Sequence, residues 1–200
     1  MRRDEAIRIP KNLDKTTKDA IERGEMLPLM EDFYTIQGEG MHTGKAAYFI
    51  RVGGCDVGCH WCDVKESWDA GIHPPTSVKT IVERAKKYPA KTVVITGGEP
   101  LMWNMQPLCS ALKAEGFQVH LETSGAYALS GNFDWICLSP KRTKAPLKEI
   151  YAYVNELKII VYNKADFNWA ENHAERLNAE TVLFLQPEWS KREINLPTII

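Results

Sequence analysis

Apolar runs of strand length alternate with helical segments through most of this chain, and this pattern restricts the fold more than any other feature. Six runs predict strands, namely Ala46–Val52, Thr92–Thr96, Gln118–Glu122, Trp135–Ser139, Glu156–Val161 and Thr181–Gln186. Helical patterns between them predict Ser77–Lys87, Met105–Glu115, Asp166–Asn178 and a weaker segment near Lys148–Asn155. Apolar strands separated by helices favour parallel β/α units. Because six strands are too few to close an eight-stranded barrel, we predict an α/β fold, an open, partial (βα)6-type barrel with a mostly parallel sheet.

Short polar and glycine-containing motifs stand at the carboxyl ends of these strands. RVGGCDVGCHWCD follows the first strand, TGGEP ends the second, ETSG the third, SPK the fourth and QP the sixth. In parallel β/α folds, ligands bind at this edge of the sheet. The motifs therefore predict one shared site.

The composition argues against several functional classes. With 44% hydrophobic residues, 26% charged residues and a formal net charge of −1, the chain has no basic field for nucleic acid or for an anionic membrane. No apolar run approaches the ~20 residues of a spanning helix, and MRRDEAIRIPKN lacks the apolar core of a secretory signal. We therefore expect a cytoplasmic protein with no nucleic-acid or membrane partner.

The chain is predicted to divide near residue 25. Residues 1–25 are polar and highly charged, and a helix fits Lys15–Gly24. We expect this stretch to be an N-terminal extension outside the core. Residues 26–200 are expected to form the partial-barrel domain.

Three of the five cysteines lie in one short segment, Cys55-x3-Cys59-x2-Cys62. Disulfides are rare in a reducing cytoplasm, so this spacing indicates metal or cluster ligation. Glycines in the same loop let the backbone pass close to a bound group. Cys109 and Cys137 lie alone in apolar surroundings, and we predict that they are buried, inert thiols.

The cysteine loop, with the aromatic Trp61 before its third cysteine, resembles that of the radical S-adenosylmethionine superfamily. The resemblance implies a [4Fe–4S] cluster on Cys55, Cys59 and Cys62, whose fourth iron chelates the methionine part of S-adenosylmethionine. An electron from the cluster would break the sulfonium bond and give a 5′-deoxyadenosyl radical. TGGEP, at residues 96–100, resembles the second signature of the superfamily, in which Glu99 accepts hydrogen bonds from the methionine ammonium.

Polar residues elsewhere suit small-molecule ligands. In QGEG, at residues 37–40, a Gln–Glu pair can bind the amide and amine edge of a pterin-like ring, and Arg51 can pair with a carboxylate. A simple turn and a surface ion pair are the respective alternatives. ETSG, at residues 122–125, and SPK, at residues 139–141, supply hydroxyls and charge for ribose, carboxylate and adenine, with a helix cap as the alternative for Ser124.

From about Met26 onward the chain resembles the 7-carboxy-7-deazaguanine synthase family, through FYTIQGEG, YFIRVGGCDVGCHWCD, VVITGGEPL, HLETSG, LSPK and LQP in that order. The resemblance implies a homodimeric lyase that converts 6-carboxy-5,6,7,8-tetrahydropterin into 7-carboxy-7-deazaguanine with loss of ammonia, for queuosine and other deazapurines. It also implies that S-adenosylmethionine acts catalytically, that Mg²⁺ assists, and that an external donor such as flavodoxin or ferredoxin supplies electrons.

The family's motifs assign roles to individual residues. The implied catalytic residues are Cys55, Cys59, Cys62, Glu39 and Arg51. The implied substrate site consists of Ile36, Gln37, Gly38, Glu39, Arg51 and Thr96. The implied S-adenosylmethionine site consists of Trp61, Cys62, Asp63, Gly97, Gly98, Glu99, Ser124, Ser139, Pro140, Lys141 and Gln186.

Two positions depart from the family pattern. The family usually has Thr or Ser directly after Cys62-Asp63, and its hydroxyl binds Mg²⁺; here Val64 has no donor oxygen for a hard cation. Asp63, substrate and water are then the expected magnesium ligands, unless the ion matters less here. The chain stops at LPTII, residues 196–200, where a further helix is expected to begin, so we expect the C-terminal helix and tail to be missing.

Three alternative functions are left open by the sequence. A glycyl-radical-enzyme activase has the same cysteine loop but acts on a protein partner. A non-catalytic zinc or iron–sulfur module is the second; His60 or His73 could complete a zinc site, although such sites more often use paired Cys-x2-Cys halves. An inactive, truncated form that retains the cluster site is the third.

Overall fold

The computed structural model describes residues 13–200, which contain eight strands and five α-helices. The strands are β1 (Met26–Ile36), β2 (Ala46–Val52), β3 (Pro75–Ser77), β4 (Thr92–Gly97), β5 (Gln118–Thr123), β6 (Trp135–Leu138), β7 (Glu156–Val161) and β8 (Val182–Pro187). The α-helices are α1 (Lys15–Glu22), α2 (Val78–Ala85), α3 (Gln106–Ala114), α4 (Ala165–Ala174) and α5 (Arg192–Ile199). Short 3₁₀ helices lie at Gly40–His42, Lys65–Trp68, Ala70–Ile72, Pro100–Met102, Lys148–Tyr153 and Trp189–Lys191.

All eight strands belong to one open sheet, in the order β3-β1-β2-β4-β5-β6-β7-β8. Each neighbouring pair from β2 to β8 is parallel, whereas β1 runs antiparallel to both β2 and β3. The six parallel strands are the six predicted from the sequence. Because β3 and β8 stay at the two edges, the barrel is not closed, and the predicted open, mostly parallel α/β fold is confirmed.

Three local elements differ from the sequence prediction. Strand β1 was not predicted because only its first half is buried, so it lacks a continuous apolar run. Strand β3 has only three residues and begins at a proline. The weak helix expected near Lys148–Asn155 is a 3₁₀ helix, Lys148–Tyr153, whose Ile150 and Tyr151 are buried.

The two faces of the parallel strands have different chemistry. Outward-facing side chains such as Ile95, Leu121 and Ile159 join the main hydrophobic core with the helices. The inner face is apolar only in part, with Phe49 and Val94 in a small cluster of their own. Elsewhere it carries buried polar and charged side chains, which the alternation of strand residues places inside the barrel. The near-continuous apolar runs therefore conceal a polar interior, formed by the buried residues His120, Cys137, Glu156 and Lys158 and by the partly buried Glu122.

Helix α1 belongs to the packed domain. Asp14 caps it by accepting a hydrogen bond from the Thr17 amide at 2.9 Å, and Ala20 and Ile21 are buried. Ile21 is part of the main hydrophobic core. The expectation that residues 1–25 lie outside the core is therefore wrong for α1, because one face of this charged helix is apolar. Residues 1–12 lie outside the described residues.

The last described segment is helical. Helix α5 begins at Arg192 rather than at Leu196, and it ends at Ile199. The buried Asn195 side chain donates hydrogen bonds to the carbonyls of Val161 and Tyr162, each at 3.0 Å. These bonds fix the helix against the carboxyl end of β7. Among residues 13–200, no helix has the length and apolar character needed to cross a membrane.

Two buried histidines predict a loss of stability in mild acid. Burial lowers the pKa of His120 and of His173 to about 4, against about 6.5 in an unfolded chain. Between pH 6.5 and 4 the unfolded state therefore binds more protons than the folded state, and stability falls as the pH falls. We expect each histidine to contribute roughly 2–3 kcal/mol to this fall. Urea unfolding at pH 7 and pH 4.5 should show a smaller difference for H120Q than for the wild type; an unchanged difference would contradict the assignment.

Candidate active site

The carboxyl ends of the parallel strands surround a cavity of about 480 Å³. The strand-end motifs meet there, as expected from the topology. Ile36 and Pro140 are the two predicted site residues that do not line it: the Ile36 side chain is 62% exposed on the opposite face of β1, and Pro140 is buried outside the lining. The predicted residues that line the cavity are Gln37, Gly38, Glu39, Arg51, Cys55, Cys59, Trp61, Cys62, Asp63, Thr96, Gly97, Gly98, Glu99, Ser124, Ser139, Lys141 and Gln186.

The cysteine loop is held close to the turn that follows β4. The Gly54 amide donates to the Ser67 carbonyl at 2.7 Å, and the Glu99 amide donates to the Gly54 carbonyl at 2.8 Å. A Cβ atom at Gly98 would stand only 2.4 Å from the Gly54 oxygen. Glycine is therefore required at position 98 for the turn and the loop to approach each other.

The thiols of the loop are suited to bind iron. Cys55, Cys59 and Cys62 are free and line the cavity. Burial raises the pKa of Cys55 to about 12 and also raises the pKa of Cys59. The thiols of Cys55 and Cys59 are therefore protonated at neutral pH, and iron binding must release these protons.

The surroundings of the loop fit a cluster with three protein ligands. Of the two candidate zinc ligands, His73 is buried with its Nε2 2.8 Å from the Glu66 carbonyl oxygen, and His60 packs edge-on against Tyr162 with ring centroids 5.0 Å apart. Within residues 13–200, no three His, Cys, Asp or Glu side chains converge on a point that could hold a single metal ion. Three thiols without a fourth partner match an iron–sulfur cluster with one open iron better than a closed zinc site.

Glu99 is buried, at 1% exposure, and its carboxylate is already held by the protein. Its Oε1 accepts hydrogen bonds from Thr123 Oγ1 at 2.5 Å and from the Leu101 amide at 3.1 Å, and its Oε2 accepts from the Ser124 amide at 2.8 Å and from the Ser124 hydroxyl. Strand β5 thus fixes the orientation of Glu99 at the cavity wall. In the structure, the Ser124 hydroxyl helps to orient Glu99.

Lys141 reaches from the segment after β6 toward the cysteine loop. Its ammonium donates to the Ser139 carbonyl and hydroxyl at 2.5 and 2.6 Å. It also lies 5.6 Å from the centroid of the Trp61 ring. Ser139, Lys141 and Trp61 therefore form one contiguous part of the lining.

Glu39 connects the two sides of the open barrel. It follows β1, yet its Oε2 accepts from Lys158 of β7 at 2.6 Å and its Oε1 accepts from Gln186 of β8 at 2.7 Å. The loop that carries Glu39 is fixed by Glu156, which accepts from the Met41 amide at 3.2 Å. Gly40 adopts φ +69°, a conformation that favours glycine, and a Cβ atom there would displace the Glu156 carboxylate.

Lys158 is a site residue to which the sequence analysis assigned no role, and Glu122, expected only as part of ETSG, lies next to it. Glu122 accepts hydrogen bonds from Gln37 Nε2 at 3.0 Å and from Thr96 Oγ1 at 3.3 Å, and it lies 3.9 Å from the Lys158 ammonium. Burial alone would lower the pKa of Lys158, but the carboxylates of Glu122 and Glu39 raise it above its ordinary value. The sequence signal for Lys158 was a lysine within the largely apolar strand segment ELKIIV, which indicates a buried charge.

Arg51 lies at the end of β2 and lines the same cavity. Its Nε donates to Glu31 Oε1 at 2.7 Å, and its side chain is 20% exposed. The ion pair named as its alternative role is therefore present. Because a guanidinium has further donors, this pair leaves groups on Arg51 that can bind a ligand carboxylate.

Aromatic side chains that were not predicted complete the lining. Phe33 and Phe49 stack with ring centroids 5.5 Å apart, and Trp68 and Trp189 also border the cavity. Flat, apolar surfaces next to amide, carboxylate and ammonium groups are suited to planar heterocycles.

Comparisons with known proteins agree with this geometry. The Radical SAM superfamily model matches residues 49–130. The chain is 63% identical to a 7-carboxy-7-deazaguanine synthase from Flavobacterium psychrophilum, over 94% of this chain and 89% of that protein. It is 51% identical to a protein of the same name from Synechocystis, over 84% and 81% of the two chains. The crystal structure of QueE from Escherichia coli superposes with a TM-score of 0.74 at 30% identity, covering 88% of this chain and 91% of that one.

Proposed function

The chain belongs to the 7-carboxy-7-deazaguanine synthase family of radical S-adenosylmethionine enzymes. We propose that the protein catalyses, in this cavity, the ring contraction of 6-carboxy-5,6,7,8-tetrahydropterin to 7-carboxy-7-deazaguanine, with loss of ammonia. The observation that carries this proposal is the shared cavity. The three thiols expected to bind the iron–sulfur cluster line this cavity. Amide, carboxylate, ammonium and guanidinium groups that suit a carboxylated pterin line it as well.

The cluster and S-adenosylmethionine are assigned to the part of the cavity formed by the cysteine loop. Cys55, Cys59 and Cys62 would hold the [4Fe–4S] cluster, which supplies the electron that cleaves S-adenosylmethionine. Glu99, oriented by Thr123 and Ser124, offers a fixed acceptor toward the methionine ammonium. The remaining contacts to S-adenosylmethionine are assigned to other residues that line the cavity, namely Trp61, Asp63, Gly97, Gly98, Ser139, Lys141 and Gln186.

The pterin is assigned to the polar network between β1, β5 and β7. Gln37 and Glu122 present amide and carboxylate groups that complement the donors and acceptors of a pterin ring. Arg51 is assigned to the substrate carboxylate, because bidentate pairing is the strong mode for a guanidinium. Glu39 is held by Lys158 and Gln186, which restricts its carboxylate to one position at the substrate. Thr96, bonded to Glu122, completes this side.

Magnesium is assigned to Asp63, substrate and water, with no side-chain ligand from Val64. Both residues border the cavity. Because a valine side chain has no oxygen, we expect V64T to add a hydroxyl ligand and to lower the half-saturating Mg²⁺ concentration by about tenfold. Product formation measured over a Mg²⁺ titration tests this, with V64A as the control that changes size without adding oxygen. Equal Mg²⁺ dependence of V64T and V64A would contradict the assignment.

Three further assignments complete the proposal. A homodimer is supported by exposed apolar side chains on β8 and α5, such as Leu183, Ile194 and Leu196, and light scattering of the purified protein tests it. A reducing, cytoplasmic location is supported by five free cysteines. Because cleavage of S-adenosylmethionine needs an electron, an external protein such as flavodoxin or ferredoxin is the proposed donor.

The direct test is an anaerobic assay of the reconstituted protein with S-adenosylmethionine, a reductant and 6-carboxy-5,6,7,8-tetrahydropterin. We expect 7-carboxy-7-deazaguanine to form while S-adenosylmethionine is regenerated. Cleavage of S-adenosylmethionine without deazaguanine would refute the proposal and would favour an activase that acts on a protein. Zinc without sulfide in the purified protein would refute it in favour of a structural module.

A further inference from the structure

A buried ion pair joins the cysteine loop to the segment after β6. Asp56 directly follows Cys55, and its side chain is only 2% exposed. Both of its carboxylate oxygens lie 2.8 Å from the ammonium of Lys144, whose side chain is 17% exposed. The same ammonium lies 3.8 Å from the centroid of the Tyr127 ring. Lys144 is therefore packed in a defined position and does not extend freely into solvent.

The segment that carries Lys144 is itself fixed against the loop. An isolated bridge between Lys141 and Lys144 closes a tight turn over residues 141–144. At the start of this turn, the Lys141 ammonium lies 5.6 Å from the centroid of the Trp61 ring. The turn therefore contacts the cysteine loop at Trp61 as well as at Asp56.

The charges explain why this arrangement has consequences for a cluster. Three thiolates already bring negative charge to the loop when iron is bound, and Asp56 adds a buried carboxylate between two of them in sequence. An unpaired carboxylate in such a place is strongly unfavourable. Lys144 compensates that charge through an ion pair at 2.8 Å.

We propose that Lys144, acting through Asp56, is a positioning residue that holds the cysteine loop and sets the reduction potential of the cluster. The identity of the cluster rests on the proposed function. Reduction adds one negative charge to the cluster, and nearby charge is one of the factors that determine the potential. Removing a nearby cation therefore makes reduction harder, and removing a nearby anion makes it easier.

The test compares the midpoint potentials of the reconstituted wild type, K144M, D56N and the D56N/K144M double variant. Each is measured in a redox titration that is monitored by electron paramagnetic resonance. We expect K144M to shift the midpoint to more negative values and D56N to more positive values. The midpoint of the double variant should return toward the wild-type value. The midpoint of K144R should equal that of the wild type, because arginine keeps the positive charge. Iron and sulfide content are measured on the same samples.

K113M is the matched control, because it removes a lysine that forms a 2.8 Å ion pair with Asp134 outside the cavity lining. Its midpoint should equal that of the wild type. Should K144M bind no cluster, recovery of iron and sulfide in the double variant supports the proposal, and D56N still gives the sign of the shift. Unchanged midpoints in both single variants, or shifts of the same sign, overturn it. A wild-type protein that holds no iron and sulfide overturns the proposed function instead.

Discussion

Replacement of Cys59 by alanine is expected to abolish cluster binding and deazaguanine formation together. Cys55, Cys59 and Cys62 line the cavity. Of the two histidines considered as further ligands, His73 is already hydrogen-bonded and His60 is exposed. Two thiolates cannot hold a cluster that needs one ligand on each of three irons. After anaerobic reconstitution, C59A should contain less than about a tenth of the wild-type iron and sulfide, and its activity should be below detection.

Cys109→Ala is the matched control for this variant. Cys109 is fully buried in the main core, away from the cavity. Its loss removes packing atoms and should lower the free energy of unfolding by about 1 kcal/mol, with iron content and activity retained. Wild-type iron and sulfide in C59A would contradict the assignment of the ligands, and so would loss of the cluster from C109A in a protein that remains folded.

Replacement of Lys158 by methionine is expected to have the second largest effect. The Lys158 side chain is 7% exposed and lies between Glu39 and Glu122. Without its charge the two carboxylates repel each other and lose a donor, which should lower the free energy of unfolding by about 2–3 kcal/mol, somewhat less than for a fully buried pair because Glu39 is partly exposed. Displacement of Glu39 should lower kcat/KM by about 100-fold.

Urea unfolding of the protein and steady-state kinetics measure these two effects. K86M is the matched control, because Lys86 also pairs with two carboxylates, Glu83 at 3.2 Å and Glu115 at 3.1 Å, but at the surface. Its cost should stay below about 1 kcal/mol with normal kinetics. A K158M variant with wild-type kcat/KM would show that Lys158 does not position Glu39.

The pKa values of the pair give a further readout. Lys158 lowers the pKa of Glu39 by charge attraction and hydrogen bonding, against the opposing effect of burial. The folded pKa of Glu39 is thus below its unfolded value, so its contribution to stability is present above the unfolded pKa and is lost as the pH falls through the folded pKa. In K158M this contribution disappears, and the stability difference between K158M and wild type should become smaller below about pH 4.

Much of the fold followed from local patterns. The six parallel strands are visible in the sequence because a buried parallel strand is a near-continuous apolar run, and helical periodicity marks the connections. The start of α2 is a comparable case, since the predicted helix begins at Ser77, the residue whose side chain caps α2 in the structure. Strand β1 escaped prediction because half of it is exposed, and the role of α1 in the core depends on a partner surface that no local pattern displays.

The sequence by itself determined the three thiols of the cysteine loop, the positions of the motifs at the strand ends and the resemblance to one family, since these depend on spacing over a few residues. Only the tertiary structure decided which charged groups meet. Lys158 contacts Glu39 across 119 residues of chain and Lys144 contacts Asp56 across 88. Such pairs are set by the curvature of the sheet, which brings β1, β7 and the segment after β6 around one cavity. A strand pattern shows that a lysine points inward, but the packed barrel alone selects its partners.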